Sequence, residues 1–173
     1  DSGIVYLVLN NANISSSATA PIYIKDAEKV VLILENGTTN SISQGCSITA
    51  DENDEPSAAI FSKSDLTITG SGTLNVTAEY NDGITSKDKL KITDGTINVN
   101  SKADGIVGKD ILAVEKASIT ITAGKDGMRS TNNTDADMGN VLITDGTFNI
   151  TSNNDSIQAY GLLEIDGGTF NIT

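Results

Sequence analysis

The chain has 173 residues, enough for one domain with a substantial core. It carries 23 acidic against 11 basic side chains, a net charge of −12, which excludes nucleic acid or an anionic membrane surface as the natural partner. That balance favours cations, neutral partners, or anionic partners bridged by cations. The chain has no His, which removes the usual general base and the commonest zinc ligand, and its one cysteine, Cys46, excludes an internal disulfide.

Aromatic residues make up 4% of the chain and there is no Trp, so the core must be aliphatic. Val, Ile, Leu and Thr dominate, which favours strands. No stretch approaches the ~20 apolar residues of a membrane-spanning helix. The chain starts at Asp1 inside ordinary-looking sequence, as expected if a leader has been removed, and it stops partway through a repeat, as expected if more repeats follow Thr173.

Taken in order, the chain falls into turns of roughly 22 residues, each with three short apolar runs separated by Gly, Asp, Asn or Ser. Ala12/Ile14 and the anchor Ile22 open the pattern, loosely. Cys46/Ile48 is expected to follow Ala12/Ile14 in the same column. The acidic stretch Asp51-Glu52-Asn53-Asp54-Glu55-Pro56 reads as a solvated bulge before the anchor Ile60. From Leu66 on the repeat is regular. Leu66/Ile68, Leu90/Ile92, Leu112/Val114, Val141/Ile143 and Leu163/Ile165 form one column. Leu74/Val76, Ile97/Val99, Ile119/Ile121, Phe148/Ile150 and Phe170/Ile172 form a second. The anchors Ile22, Ile60, Ile84, Ile106, Met128 and Ile157 form a third.

Period-2 alternation over such short runs predicts strands, and no turn holds a run of helix formers long enough for a crossover helix. Parallel strands joined by short bends make a solenoid of stacked coils. A left-handed helix would show a strict six-residue period, which is missing. The expectation is a single all-β domain over residues 1–173, a right-handed parallel β-helix of about seven coils with three short strands per coil. A β-sandwich would not require columns of like residues at one period.

The outward positions carry the functional expectations. One column reads Asn13, Ser47, Asn75, Asn98, Thr120, Asn149, Asn171 and predicts a ladder of stacked amides. A second, three residues after the anchors, reads Lys25, Lys63, Lys87, Lys109, Thr131, Tyr160. A third, one after the anchors, reads Tyr23, Phe61, Thr85, Val107, Arg129, Gln158 and would make Tyr23 and Phe61 neighbouring exposed aromatics, either a ligand groove or a patch under the Asp51–Ser57 loop. The polar insertion between Arg129 and Gly139 follows Asp126-Gly127-Met128 directly and is placed to fold over that region.

One phrase precedes four of the anchors: Asn81-Asp82-Gly83-Ile84, Ala103-Asp104-Gly105-Ile106, Lys125-Asp126-Gly127-Met128 and Asn154-Asp155-Ser156-Ile157. Coils ~4.8 Å apart would stack Asp82, Asp104, Asp126 and Asp155 in a row. Bare carboxylates at that spacing repel by roughly 3 kcal/mol per pair at an effective dielectric of 20. Cations between coils would relieve this, and half the coil spacing is close to a calcium–oxygen distance. Three gaps admit up to three Ca2+ ions, their shells completed by Asn81, Asn153, Asn154, turn carbonyls and water. Asp94-Gly95, Asp145-Gly146 and Asp166-Gly167 read instead as ordinary turns.

The repeats Leu66–Lys87, Leu90–Lys109 and Val141–Tyr160, with Asp-Gly-Thr-(Ile/Phe)-Asn-(Val/Ile) at Asp94–Val99 and Asp145–Ile150, resemble the clostridial cell-surface carbohydrate-binding β-helix family, itself similar to the family 9 pectate lyases. The resemblance covers most of the chain after Ser64. It implies a secreted or surface-anchored protein that binds plant cell-wall polysaccharide, acidic and pectin-like or cellulose, with calcium held by Asp82, Asp104, Asp126 and Asp155. The leading expectation is thus a monomeric, non-catalytic polysaccharide binder with no insertion into membrane. The alternatives are a calcium-dependent lyase, with Arg129 or Lys125 as base, and a structural or adhesive stalk.

Overall fold

The computed structural model describes residues 3–47 and 55–173. The expected strand at Ile48 and the acidic residues 51–54 lie outside the described residues. The first coil is β1 (Ile4–Leu9), β2 (Asn13–Ser16) and β3 (Ile22–Ile24). The second is β4 (Lys29–Leu34), β5 (Thr39–Gln44) and β6 (Ala58–Ser62). The third is β7 (Asp65–Thr69), β8 (Thr73–Ala78) and β9 (Asp82–Ser86). The fourth is β10 (Lys89–Ile92), β11 (Thr96–Ser101) and β12 (Ile106–Gly108). The fifth is β13 (Ile111–Val114), β14 (Ser118–Ala123) and β15 (Met128–Ser130). The sixth is β16 (Asn140–Ile143), β17 (Thr147–Ser152) and β18 (Ile157–Ala159), and β19 (Leu163–Ile165) and β20 (Thr169–Ile172) belong to a seventh.

Every third strand pairs in parallel, which gives three sheets along the axis: β1 to β19 with seven strands, β2 to β20 with seven, and β3 to β18 with six. We call these sheets A, B and C. The molecule is therefore the right-handed parallel β-helix expected, and the register is the one the columns predict. Ile22, Ile60, Ile84, Ile106, Met128 and Ile157 pair in succession along sheet C. Leu66, Leu90, Leu112, Val141 and Leu163 pair along sheet A. Leu74, Ile97, Ile119, Phe148 and Phe170 pair along sheet B.

The three columns converge inside. Ile60, Ile84, Ile106, Met128, Leu90, Leu112, Ile97 and Ile119 are fully buried in one continuous aliphatic cluster. Near the C-terminal end the column turns aromatic, and Phe148 stacks on Phe170 with ring centroids 4.6 Å apart. The stacked pair fills with two flat rings the width that Ile and Leu fill elsewhere.

Three expectations are corrected. The strand following Ala12/Ile14 in sheet B is β5, with Asn40/Ile42 in the core positions and Ser41 in the amide column; Cys46 is exposed and Ser47 lies outside the strand. Asn40 is fully buried where an apolar residue was expected, because its amide is satisfied on both sides. It accepts from the Ala12 amide (2.9 Å) and donates to Thr38 Oγ1 and the Thr73 carbonyl.

Phe61 does point away from the main core, but it is not exposed. It packs with Ala20, Ala58 and Tyr23 in a second small cluster, edge-on to the Tyr23 ring at 5.5 Å. Glu55 and Pro56 are buried at the same face, and Glu55 forms ion pairs with Lys63 and Lys87 of the lysine column. Burial opposes the Glu55 charge, yet hydrogen bonds from the two ammonium groups outweigh it and hold its pKa below the ordinary carboxylate value. Phe61 is thus covered, while Tyr23 stays partly exposed and lines an open groove with Val5, Leu7, Ile22 and Ile24.

The insertion after Arg129 turns the other way from the one expected. The Thr131 and Asn132 amides both donate to the Lys109 carbonyl, and Asn132 Nδ2 donates to Asp110 Oδ1 (2.7 Å). The Gly139 and Asn140 amides return to the Asp110 carbonyl. The insertion is thus tied to the corner between sheets C and A, at the far end of β12 and β15 from the aspartates.

Candidate metal and carbohydrate site

Asp82, Asp104, Asp126 and Asp155 do stand in a row, one per coil, at the entry to sheet C. What aligns them is the backbone. Oδ1 of each aspartate accepts the amide of the next: Asp104 N to Asp82 (3.1 Å), Asp126 N to Asp104 (3.1 Å), Asp155 N to Asp126 (3.0 Å). The amides of the residues that follow bond upward as well, Gly83 to Asp104 O and Gly105 to Asp126 O. Each carboxylate thereby replaces the rung of main-chain bonding that the bend would otherwise lose.

The glycine of the phrase is required by close approach. A Cβ on Gly105 would lie 2.5 Å from the Gly127 carbonyl oxygen and 2.6 Å from Ile121 Cγ2. The same crowding recurs at Gly83 and Gly127. The Asp-Gly turns at Gly95 and Gly146 work differently. There the glycine has positive φ, 106° and 137°, and its amide is held by its own aspartate. The two Asp-Gly columns thus do different jobs.

The outer oxygens, Oδ2, are met by the residue three places on, in the column next to the anchors. Thr85 donates to Asp82 (3.2 Å), Arg129 to Asp126 (2.7 Å), and Gln158 to Asp155 (2.9 Å). Val107 has nothing to donate, and the Arg129 guanidinium reaches back to Asp104 Oδ2 at 3.2 Å. One guanidinium therefore sits between Asp104 and Asp126, where a cation was expected. Asp104 and Asp126 are buried, while the Arg129 side chain that pairs with both stays 28% exposed. Arg129 Nε is buried without a partner, the cost of that placement. Thr85 and Gln158 were missed from the sequence, although both share the column of Arg129.

The ends of the row differ. Asp82 is partly buried, and no ion pair reaches it among the described residues. Burial, and then the neighbouring Asp104 carboxylate, push its carboxyl up to about 7 against the Asp104 amide, the Thr85 hydroxyl and the Lys125 charge. Asp104 is also raised, by burial first, with the Asp126 amide and Arg129 pulling it down. Asp155 is exposed at the other end.

Of the further expected ligands, Asn154 donates Nδ2 to Asp126 Oδ1 (2.6 Å). Asn81 contributes its carbonyl to the Ala103 amide, and Asn153 is exposed with only its amide engaged. Lys125 is exposed. Phe61 lies two coils and Tyr23 three coils below Asp104 along the same sheet, and neither forms part of the row.

The donor set can now be tested against calcium. Among the described residues no three or more His, Cys, Asp or Glu side chains are gathered as a metal site. The middle gap does not fit an ion, since the guanidinium fills it. The gap beyond Asp126 fits one only if the Asn154 and Gln158 amides turn over to offer oxygen. The gap between Asp82 and Asp104 fits best: two carboxylates and a hydroxyl with no guanidinium of its own, leaving water to complete six to eight ligands.

The comparisons with known proteins agree with this architecture. A relative described as a carbohydrate-binding domain-containing protein of Acetivibrio thermocellus is 41% identical over 97 residues. That match covers 55% of this chain and 34% of the relative, so the chain spans about a third of its length. The solved structure of a polysaccharide lyase-like protein from C. thermocellum, a gadolinium derivative, superposes with a TM-score of 0.88 at 32% identity, over 96% of this chain and 78% of that one. Residues 1–173 match throughout the family described as carbohydrate-binding domain-containing protein, and the chain belongs to that family.

Proposed function

We propose that the chain is a non-catalytic polysaccharide-binding module, secreted and associated with the cell surface as a monomer, that recognises plant cell-wall glycans, acidic pectin-like polysaccharide, cellulose or both. The observation that carries the reading is the condition of the aspartate row. Its middle is closed by Arg129, and its Asp82 end is short of positive charge. One divalent cation held by Asp82 and Asp104 would relieve that end. It would also present open coordination positions to a uronate carboxylate, bridging two anionic surfaces that otherwise repel.

Lyase chemistry finds less support. Removing the proton next to a uronate carboxylate needs a base that can be neutral. The Arg129 guanidinium is engaged by two carboxylates, and a guanidinium is a poor proton acceptor. Lys125 is exposed, and nothing in its surroundings prepares it for that role. The stalk reading predicts no affinity for sugar at all.

Retention on insoluble polysaccharides, run beside a spectrophotometric assay on polygalacturonate with and without calcium, separates the three. We expect retention without release of unsaturated product. Accumulating product would establish the lyase, and no retention on any polysaccharide would leave the stalk.

A further inference from the structure

The outward face of sheet B is chemically unlike the rest of the molecule. Its seven strands, β2, β5, β8, β11, β14, β17 and β20, contain no charged residue at all, in a chain with 34 of them (23 acidic and 11 basic). Sheet A carries Lys29, Asp65, Lys89, Lys91 and Glu164, and sheet C carries Asp82 and Arg129. From β5 to β20 every outward position of sheet B is Ser, Thr or Asn. The central rungs read Thr73-Asn75-Thr77, Thr96-Asn98-Asn100 and Ser118-Thr120-Thr122.

The register holds these groups in straight columns. Rungs repeat about every 4.8 Å along the axis, and outward residues about every 6.6 Å along a strand. Part of the array is already fixed within itself: Asn98 donates to Asn75 (2.9 Å), Asn171 to Asn149 (3.3 Å), and Thr151 and Thr173 share a hydrogen bond. Between the Asn75/Asn98/Thr120 and Thr77/Asn100/Thr122 columns runs a shallow trough of about 310 Å³, floored by Val76 and Val99. It crosses β8, β11 and β14, parallel to the solenoid axis.

We infer that this face is a second carbohydrate site, distinct from the aspartate row, which takes a neutral, extended polysaccharide chain laid lengthwise in the trough. Hydroxyls and amides both donate and accept, as sugar hydroxyls do, and a pyranose ring is of similar size to the cell of the array. The missing charge fits a neutral ligand and leaves nothing to attract an ionic one. The pre-ordered columns reduce the side-chain entropy lost on binding. There is no aromatic platform here, so affinity comes from many modest contacts repeated along the chain, and it is read best on an insoluble polymer.

The inference rests on the polysaccharide-binding reading and deepens it, since it assigns the neutral glycan to a face of its own that needs no cation. The test is co-sedimentation with microcrystalline cellulose, a neutral extended glucan, and separately with calcium polygalacturonate. Wild-type chain should sediment with cellulose equally in chelator, in calcium and in molar salt. Thr120→Lys/Asn100→Lys, at two exposed positions, should lose cellulose at least tenfold and keep polygalacturonate. The milder Thr120→Ala/Thr122→Ala should weaken cellulose only, with an unchanged melting profile, so that a folding defect is not mistaken for lost binding. Retained cellulose binding in both variants, no cellulose binding by wild type, or cellulose binding abolished by chelator would overturn the inference. A change from dimer to monomer in the lysine variant would do so too, by making the face an interface between copies. Failure of polygalacturonate binding alone would count against the aspartate row and not against this face.

Discussion

At the scale of the residue, Arg129 and Asp82 divide the aspartate row between them. Arg129 meets two buried carboxylates at once through Nη1, which lies 2.7 Å from Asp126 Oδ2 and 3.2 Å from Asp104 Oδ2. Arg129→Ala should therefore destabilise the fold by on the order of 3 kcal/mol, read from the urea midpoint, and Arg129→Lys should recover only part of it. Asp82 shows the reverse situation. Its carboxyl is raised in the folded state, to about 7, above its unfolded value. A raised group stabilises below its unfolded pKa, and that contribution is lost as pH rises through the folded pKa. In chelator, the melting temperature should fall between about pH 4 and pH 7. Asp82→Asn should flatten that slope and raise stability at neutral pH. A wild-type profile that is flat across the window would remove the claim that this end of the row lacks a cation.

At the scale of the element, the sequence is most legible where inside and outside alternate without interruption. From Leu74 to Ile172 each strand of sheet B shows two apolar residues flanking a polar one, and all three columns fall in register as read. β5 broke the rule because Asn40 occupies a core position, and its fitness there depends on the Ala12 amide and the Thr73 carbonyl, neighbours 28 and 33 residues away. No local pattern carries that. Asn40→Leu should cost about 1–3 kcal/mol despite adding apolar volume, since it strands those buried groups; a melting temperature at or above wild type would contradict this. Phe61 was misjudged for the same reason, because what packs on it includes Ala20 and Tyr23, about 40 residues earlier in the chain. The Asp-Gly phrases could be told apart only by what surrounds them. Gly105→Ala meets backbone and Ile121, and should destabilise by about 1–3 kcal/mol through overpacking. Ser156, in the same column one coil beyond Gly127, already tolerates a Cβ, so Ser156→Ala should leave the melting temperature nearly unchanged.

At the scale of the whole molecule, the solenoid separates chemistries by face. One edge carries carboxylates in register and a broad side carries only neutral polar groups, while a single aliphatic core holds both. That core is continuous and aliphatic, so chelator should leave the β-sheet circular dichroism intact even where it abolishes binding. The position of the row was legible from a 22-residue period; its internal economy was not. Arg129 was visible as a cation beside the aspartates, but only the stacked coils bring it between two of them. Where three ions were expected, the proposal keeps one gap, between Asp82 and Asp104, because Arg129 fills the gap between Asp104 and Asp126. The most direct test is co-sedimentation of wild type and Asp82→Asn with polygalacturonate, with calcium and with chelator. The account predicts that wild type sediments only with calcium. It also predicts that Asp82→Asn, although more stable at neutral pH without the metal, fails to sediment in either condition. Equal sedimentation of the two proteins, or wild-type sedimentation that persists in chelator, would contradict it.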